Sequence, residues 1–301
     1  MSGALLEIKK KIGGVKNTRK ITKAMQLVAA SKMRQFQKRA VNARDYVTDL
    51  LHVLDTNIKS QDLSVYTEKR TEGATLFVLY TSDKGLCGPL NTKLINSLFK
   101  SNRWNDLPED KRKLITIGKK SFEYAKNNDI KLKKHYVQVP EKLTAMDSLK
   151  VVDGILKTWK TEKIKEVIFI APHYKNSFTF YPVMKQFLPF TEETITSTLG
   201  PINEDKKTKK EKNNNHYMIF NPSEEHVLNR LYEQMIQGLF IQSFLELKAS
   251  EYSSRMIAMQ NATDSADRMI EDLSRVFNKA RQAVITNEIA ELMGGTAAVT
   301  D

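Results

Sequence analysis

All eight prolines of this 301-residue chain lie between Pro89 and Pro222, so the first 88 residues and the last 79 contain none. Proline removes a backbone donor and clashes with the preceding helical turn, so proline-free ends with helical periodicity are free to form long unbroken helices. Two such helices at opposite ends of one chain meet only if the middle folds back and lets them pair.

The pattern at both ends favours that pairing. Near the C-terminus a 4-3 spacing picks out Leu245, Ala249, Tyr252, Met256, Met259, Thr263, Ala266, Ile270, Leu273, Phe277, Ala280 and Val284, eleven of the twelve apolar. A 3.5-residue repeat keeps one stripe facing a partner while the helices supercoil, which is the seam of a coiled coil. Asn221, Pro222 and Glu224 read as N-cap, first-turn proline and capping-box acid, and Gly294-Gly295 reads as the stop. At 1.5 Å per residue that helix is roughly 110 Å long. The N-terminal stretch repeats the spacing at Ala29, Met33, Phe36, Ala40, Ala43, Val47, Leu50 and Leu54. Before it, Ile21, Met25 and Ala29 stand four apart, which predicts a stutter that locally unwinds the supercoil. Gly13-Gly14 and Gly238 are the places where helix stiffness is least assured.

Charge divides the two ends. The formal net charge is +13, and residues 7–39 hold eleven Lys or Arg against the single acid Glu7, whereas residues 223–301 hold seven against twelve Asp or Glu. Opposite bias favours pairing of the ends, and the excess of basic groups favours an acidic partner. No run approaches the roughly 18 consecutive apolar residues needed to span a bilayer. The helical pattern begins within the first few residues, so neither a secretory segment nor an organelle presequence is expected. One cysteine, Cys87, excludes an internal disulfide and suits a reducing compartment.

In the middle the period becomes strand-like. Residues 74–81 form a continuous apolar run suited to a buried strand, followed by the turn 82–89 and a helix over 90–100. A second strand is expected over 113–117, helices over 121–127 and 143–160, and another buried strand over 166–171, with 178–184 pairing at an edge. This alternation predicts a small α/β layer with a largely parallel, Rossmann-like sheet. The fold class is therefore α/β: a long antiparallel coiled coil of the N- and C-terminal helices (1–60 and 221–295) around a central domain (70–220). Residues 204–215 read as a charged loop without periodicity.

The middle invites chemical readings that its residues do not support. The glycine turn after the first strand lacks both GxxxxGK[ST] and GxGxxG, since Gly85 and Gly88 are its only glycines. Cys87 has no supporting catalytic context and reads as a packing residue. His52, His135, His173, His216 and His226 are scattered, without HExxH or a triad order. No cofactor, metal site or catalytic residue is expected. The residues alone describe a non-enzymatic α/β body carrying a two-helix rod, with a basic coiled-coil nucleic-acid-binding protein as the alternative. Against that alternative, Phe36 is the only aromatic between Glu7 and Arg39.

Three segments together resemble the gamma subunit of F-type ATP synthases. They are Lys16-Asn17-Thr18-Arg19-Lys20-Ile21-Thr22-Lys23-Ala24-Met25 through Lys32, the turn Thr81-Ser82-Asp83-Lys84-Gly85-Leu86-Cys87-Gly88 continued by Leu90-Asn91, and the C-terminal Arg255-Met256, Ala262-Thr263-Asp264 and Asn278 to Glu288. Pro89, where that family usually has glycine, and Thr296, in place of an alanine, depart from it.

The resemblance implies a central rotor shaft coupling proton flow through a membrane c-ring to ATP synthesis. Its paired helices would sit in a ring of three alpha and three beta subunits, its body would attach to the epsilon subunit and the c-ring, and catalysis would belong to beta. It implies no nucleic-acid partner. The location implied is peripheral, on the cytoplasmic face of a bacterial inner membrane, or alternatively that of a mature organellar chain. By motif correspondence the coupling contacts would be Lys20, Lys23 and Met25 on one helix, Arg255, Gln282, Thr286 and Glu288 on the other, and Lys84, Gly85, Leu86 and Cys87 in the turn.

Overall fold

A computed structural model describes residues 3–57, 64–176, 179–190 and 220–297. The charged stretch 204–215 and Phe178 lie outside the described residues. The chain divides into two compact units, Met1–Ala30 with Arg255–Asp301, and Ser31–Ser254. Helix α1 spans Gly3–Asn57, and the last helix, α6 below, spans Glu224–Ala297.

In the first unit the two helices run antiparallel, because Arg19 pairs with Asp267 while Thr22 meets Thr263. The side of α1 turned to its partner holds Leu5, Ile8, Ile12, Val15, Arg19, Thr22, Gln26 and Ala29, with steps of three and four in alternation. No stutter interrupts it. Ile21, taken as a seam residue from the sequence, is 60% exposed, whereas Thr22 beside it is buried. A pattern sought in apolar residues slips one position where the seam is polar. The hydroxyls of Thr22 and Thr263 lie 2.8 Å apart, both buried, and each also reaches a carbonyl of its own helix, that of Arg19 at 3.0 Å and that of Met259 at 2.8 Å. A polar level of this kind favours one register, because a slide loses the hydroxyl bond across the seam. On α6 the predicted seam holds throughout: from Met259, Thr263 and Ala266 to Val284, every member is buried or half-buried.

Gly13 and Gly14 lie inside α1, and a Cβ at either would meet nothing within 4 Å. Each is therefore a plain propensity cost. Gly13→Ala and Gly14→Ala are expected to stabilise the helix by about 1 kcal/mol each, read as a higher thermal midpoint.

The second unit holds a five-stranded sheet in the order β3-β2-β1-β4-β5. Its strands are β1 (Ala74–Tyr80), β2 (Arg112–Ile117), β3 (Lys134–Tyr136), β4 (Ile164–Asn176) and β5 (Thr179–Leu188). The first four are parallel, and β5 returns antiparallel to β4. Helices α2 (Leu90–Phe99), α3 (Asn102–Asn105), α4 (Lys119–Asn127) and α5 (Ala145–Thr161) make the crossovers. The expected Rossmann-like order is present, with β1 buried along its whole length because it is central. The second strand, β2, starts one residue earlier than expected. β4 runs past the expected end at Ala171: beyond Ile170 it pairs with β5, so Pro172 interrupts no bond to β1. The short β3 was not anticipated, since Lys134-His135-Tyr136 is an edge triplet with no apolar alternation.

Helix α6 packs onto this sheet. Tyr80 stacks on Phe240 at 6.1 Å between ring centroids, and Phe169 meets the same ring edge-on. Every residue from Phe244 to Ser254 is buried, so this stretch is covered on all sides. On α1 the predicted members Met33, Phe36 and Val47 are buried and Ala40, Ala43 and Leu50 half-buried, while the side chain of Leu54 lies outside the described residues. Gly238 has a positive reason to be glycine: a Cβ there would stand 2.8 Å from Val47 Cγ2, so it marks close approach of α1 and α6. Two ends of α6 differ from expectation. Ser223, not Asn221, caps the helix by accepting from the His226 N–H at 3.3 Å, and the helix continues through Gly294-Gly295 to Ala297.

Candidate functional site

The turn after β1 is a knot of side-chain and backbone bonds. Asn91, in the first turn of α2, accepts from the Ser82 backbone N–H at 3.0 Å and donates its amide to Ser82 Oγ at 2.8 Å and to Cys87 Sγ at 3.1 Å. Ser82 Oγ lies 2.7 Å from the Lys84 carbonyl, and Ser254 of α6 donates to the Cys87 carbonyl at 2.5 Å. Leu86 and Gly88 take positive φ, 61° and 54°, to close the turn. Such an over-determined loop holds a fixed shape on its outer side. Lys84, Gly85 and Leu86 are exposed there, Leu86 by 61%, whereas Cys87 is 2% exposed and faces inward as a packing residue. Asp83 then ties together the segments that follow β1, β2 and β3 at their C-terminal ends, accepting from the backbone N–H groups of Lys119 at 2.9 Å and Gln138 at 3.0 Å.

On α1 of the first unit Lys20 and Lys23 are exposed and Met25 is half-buried; on α6 Arg255 is buried, and Gln282, Thr286 and Glu288 are exposed. The antiparallel register set by the Thr22–Thr263 and Arg19–Asp267 levels puts Met25 opposite α6 near residue 260. Gln282 to Glu288 stand roughly 30–40 Å further along. The structure therefore separates the predicted helix contacts into two levels of the first unit, and Lys84 to Cys87 belong to the second. Among the described residues, oppositely charged groups of the two ends pair at Arg19 with Asp267 in the first unit and at Arg44 with Glu246, at 3.4 Å, in the second. Lys9, Lys10, Lys16, Lys20, Arg34, Lys38 and Arg39 stay exposed along α1.

The buried stretch of α6 carries charges that the sequence did not single out. Lys248 and Glu251 pair at 3.0 Å with both side chains under 10% exposed. Glu246, 6% exposed, receives His173 Nδ1 at 3.1 Å and the Gln242 amide at 3.1 Å. Burial pushes its carboxyl up, but the His173 hydrogen bond and the nearby Lys185 outweigh that and hold it below the usual range.

The first unit is an antiparallel helix pair wound on one seam, with basic groups of α1 exposed, and the second is an α/β body with a fixed, exposed loop; neither holds a catalytic arrangement of side chains among the described residues. The family model of ATP synthase matches residues 4–299. The ATP synthase gamma chain of Clostridium botulinum strain Kyoto is 31% identical over 99% of both chains, and that of Polynucleobacter asymbioticus is 33% identical over 97% of this chain and 98% of its own. Among solved structures, a chain of the Tetrahymena thermophila mitochondrial ATP synthase central stalk and c-ring aligns with TM-score 0.58 at 25% identity, covering 80% of this chain and 99% of its own. A chain of the Euglena gracilis mitochondrial enzyme aligns with TM-score 0.68 at 19% identity, covering 99% and 95%. The chain belongs to the ATP synthase gamma-chain family. Neither the fold nor the relatives lend support to a nucleic-acid grip.

Proposed function

We propose that this chain couples proton flow through a c-ring to ATP synthesis by turning inside a ring of three alpha and three beta subunits, with an epsilon subunit bound to the α/β body. The observation that carries the reading is the register-locked helix pair of the first unit. A shaft transmits its orientation only if its two helices cannot slide past each other, and the Thr22–Thr263 level opposes sliding. No helix among the described residues is long and apolar enough to cross a membrane, so the chain joins a membrane through the complex. The cytoplasmic face of a bacterial inner membrane, or the equivalent face in an organelle, is the location this implies.

Coupling by such a shaft is differential contact: each orientation favours one conformation of each surrounding subunit. The exposed basic face of α1 suits an acidic partner segment. Lys20, Lys23, Met25 and Arg255 are proposed contacts at one level, Gln282, Thr286 and Glu288 at the other, and Lys84 to Leu86 on the body, where Cys87 shapes the turn from inside.

Two measurements test this. The chain is expected to co-purify with a 3:3 nucleotide-binding ring; DNA binding with a steep salt slope and no such ring would overturn the reading. Met25→Lys adds a cation to an already basic, half-buried position. It is expected to lower the protons pumped per ATP hydrolysed by about twofold or more without preventing assembly, and an unchanged ratio would remove Met25 from the contact set.

A further inference from the structure

Between β3 and α5 the chain crosses the paired helices of the second unit as a strap over residues 137–144, and one carboxylate on it touches both helices. Glu141 accepts from Lys32 Nζ of α1 through one oxygen and from the Tyr252 hydroxyl of α6 through the other. The two donors are themselves in contact, Lys32 Nζ lying 3.3 Å from the Tyr252 hydroxyl and 5.3 Å from the ring centroid. Tyr252 in turn stacks on Phe36 of α1, centroids 5.6 Å apart and planes within 7°. One side chain of the body is thus bonded to a three-residue junction where α1 and α6 meet.

The sequence stiffens this arm. Pro140 fixes its own φ and restricts Val139, so Glu141 follows a segment with little freedom to swing. Each end of the strap is fastened: the Gln138 N–H to Asp83, and Thr144 by a capping box with Asp147 at the start of α5. Between those fastenings the strap does not pack flat. A cavity of about 250 Å³ lies beneath it, lined by Asp83, Lys84, Gln138, Val139, Lys248 and Glu251 together with Glu141. Across this gap the Glu141 bonds are direct links from the strap to both helices.

The ionisation is consistent with that geometry. Burial raises the Glu141 carboxyl, but hydrogen bonds from Lys32 and Tyr252 outweigh it and keep it ionised below the usual range. Lys32 is shifted upward, chiefly by the same bond. Burial first, and then the bond to Glu141, pushes the Tyr252 hydroxyl up to about 12.

We infer that Glu141 is a positioning residue for rotary coupling, the tether by which the α/β body sets the rotational placement of α1 and α6 relative to itself. The inference rests on the shaft reading. In a shaft driven through its body, torque must pass from the body to both helices, and a carboxylate shared between them resists rotation of either one alone.

The test uses the whole complex in sealed vesicles, comparing ATP hydrolysis with ATP-driven proton uptake. Glu141→Ala is expected to lower protons pumped per ATP by about twofold or more at temperatures well below its melting point. Glu141→Gln, which keeps an acceptor but loses the charge, falls between it and the wild type. Tyr252→Phe keeps the stack on Phe36 and loses one bond; it lowers the ratio too, and combined with Glu141→Ala it adds nothing further. A wild-type ratio in Glu141→Ala overturns the tether. If that variant does not assemble, a wild-type ratio in Tyr252→Phe does the same. Failure of the wild-type chain to assemble with a 3:3 ring would instead overturn the shaft reading itself, so the two outcomes are distinct.

Discussion

Replacing Gly118 with alanine is expected to destabilise the α/β unit by about 4 kcal/mol, a fall of roughly 8–16 °C in thermal midpoint. Gly118 joins β2 to α4 with φ 96° and ψ 147°, a conformation that side chains with a Cβ rarely adopt. A Cβ there would stand 2.1 Å from the Thr81 carbonyl oxygen, which is backbone at the end of β1 and cannot rotate away. Relief requires the ends of β1 and β2 to part, and several bonds meet at that place. Thr81 Oγ1 accepts from the Ser121 N–H at 2.9 Å, the Gly118 N–H reaches the Tyr136 carbonyl at 2.8 Å, and Asp83 accepts from Lys119. The loss therefore extends from stability to the shape of the exposed 84–86 turn. Thermal melting of the variant beside Gly13→Ala, which enters open space, separates a site-specific clash from any general effect of the substitution. A shift of only about 1 °C would show that the strand ends part freely.

That effect could not be read from the chain, because nothing near Gly118 announces which backbone it approaches. The long-range seams could. Apolar residues at Ala29, Met33 and Phe36, and at Met259 to Val284, recur with a period that only a paired helix satisfies, and the structure seats them on the seam. Legibility failed where the seam turned polar. Arg19, Thr22 and Gln26 continue the heptad, whereas the apolar residues Ile21 and Met25 beside them mimic a stutter. The same polar levels hold the register, so the positions hardest to find by hydrophobic pattern are those that specify the pairing.

A second blind spot lies in the middle of α6. Read alone, Glu246, Lys248 and Glu251 are charged residues expected to face solvent. In the fold this stretch is covered by α1, the sheet and the 82–87 turn, and each charge meets a partner from its own helix or another element. The candidate contacts divide in the same way. The turn residues were legible as a motif, and Asn91 is seen to belong to it because its amide holds Ser82 and Cys87 together. Glu141 carried no signal beyond its place after Pro140, since the groups that give it meaning are 109 and 111 residues away in sequence.

Glu246 shows what such buried groups contribute, and Glu246→Gln is expected to cost about 3 kcal/mol at neutral pH. Arg44 faces it from α1, His173 from β4, Lys185 from β5 and Gln242 from its own helix. Removing the charge leaves three basic groups converging without their carboxylate. The cost should depend on pH at both ends. The folded-state pKa of Glu246 lies below its ordinary 4.5, so its ionic contribution is complete above about 4.5 and is lost as pH falls through the folded value. Wild type and variant should converge in acid. Lys185 is depressed first by burial and also by Arg44, with Glu246 opposing them, so the substitution lowers it further. A base with a depressed folded-state pKa weakens the fold below that pKa and ceases to do so as pH rises towards its unfolded value of 10.5. The deficit should therefore be largest near neutrality and shrink in both directions, which thermal melting across pH measures directly. A deficit that does not vary with pH would mean that the substitution acts through packing alone, and that the charge on Glu246 does not bind the two helices to the sheet.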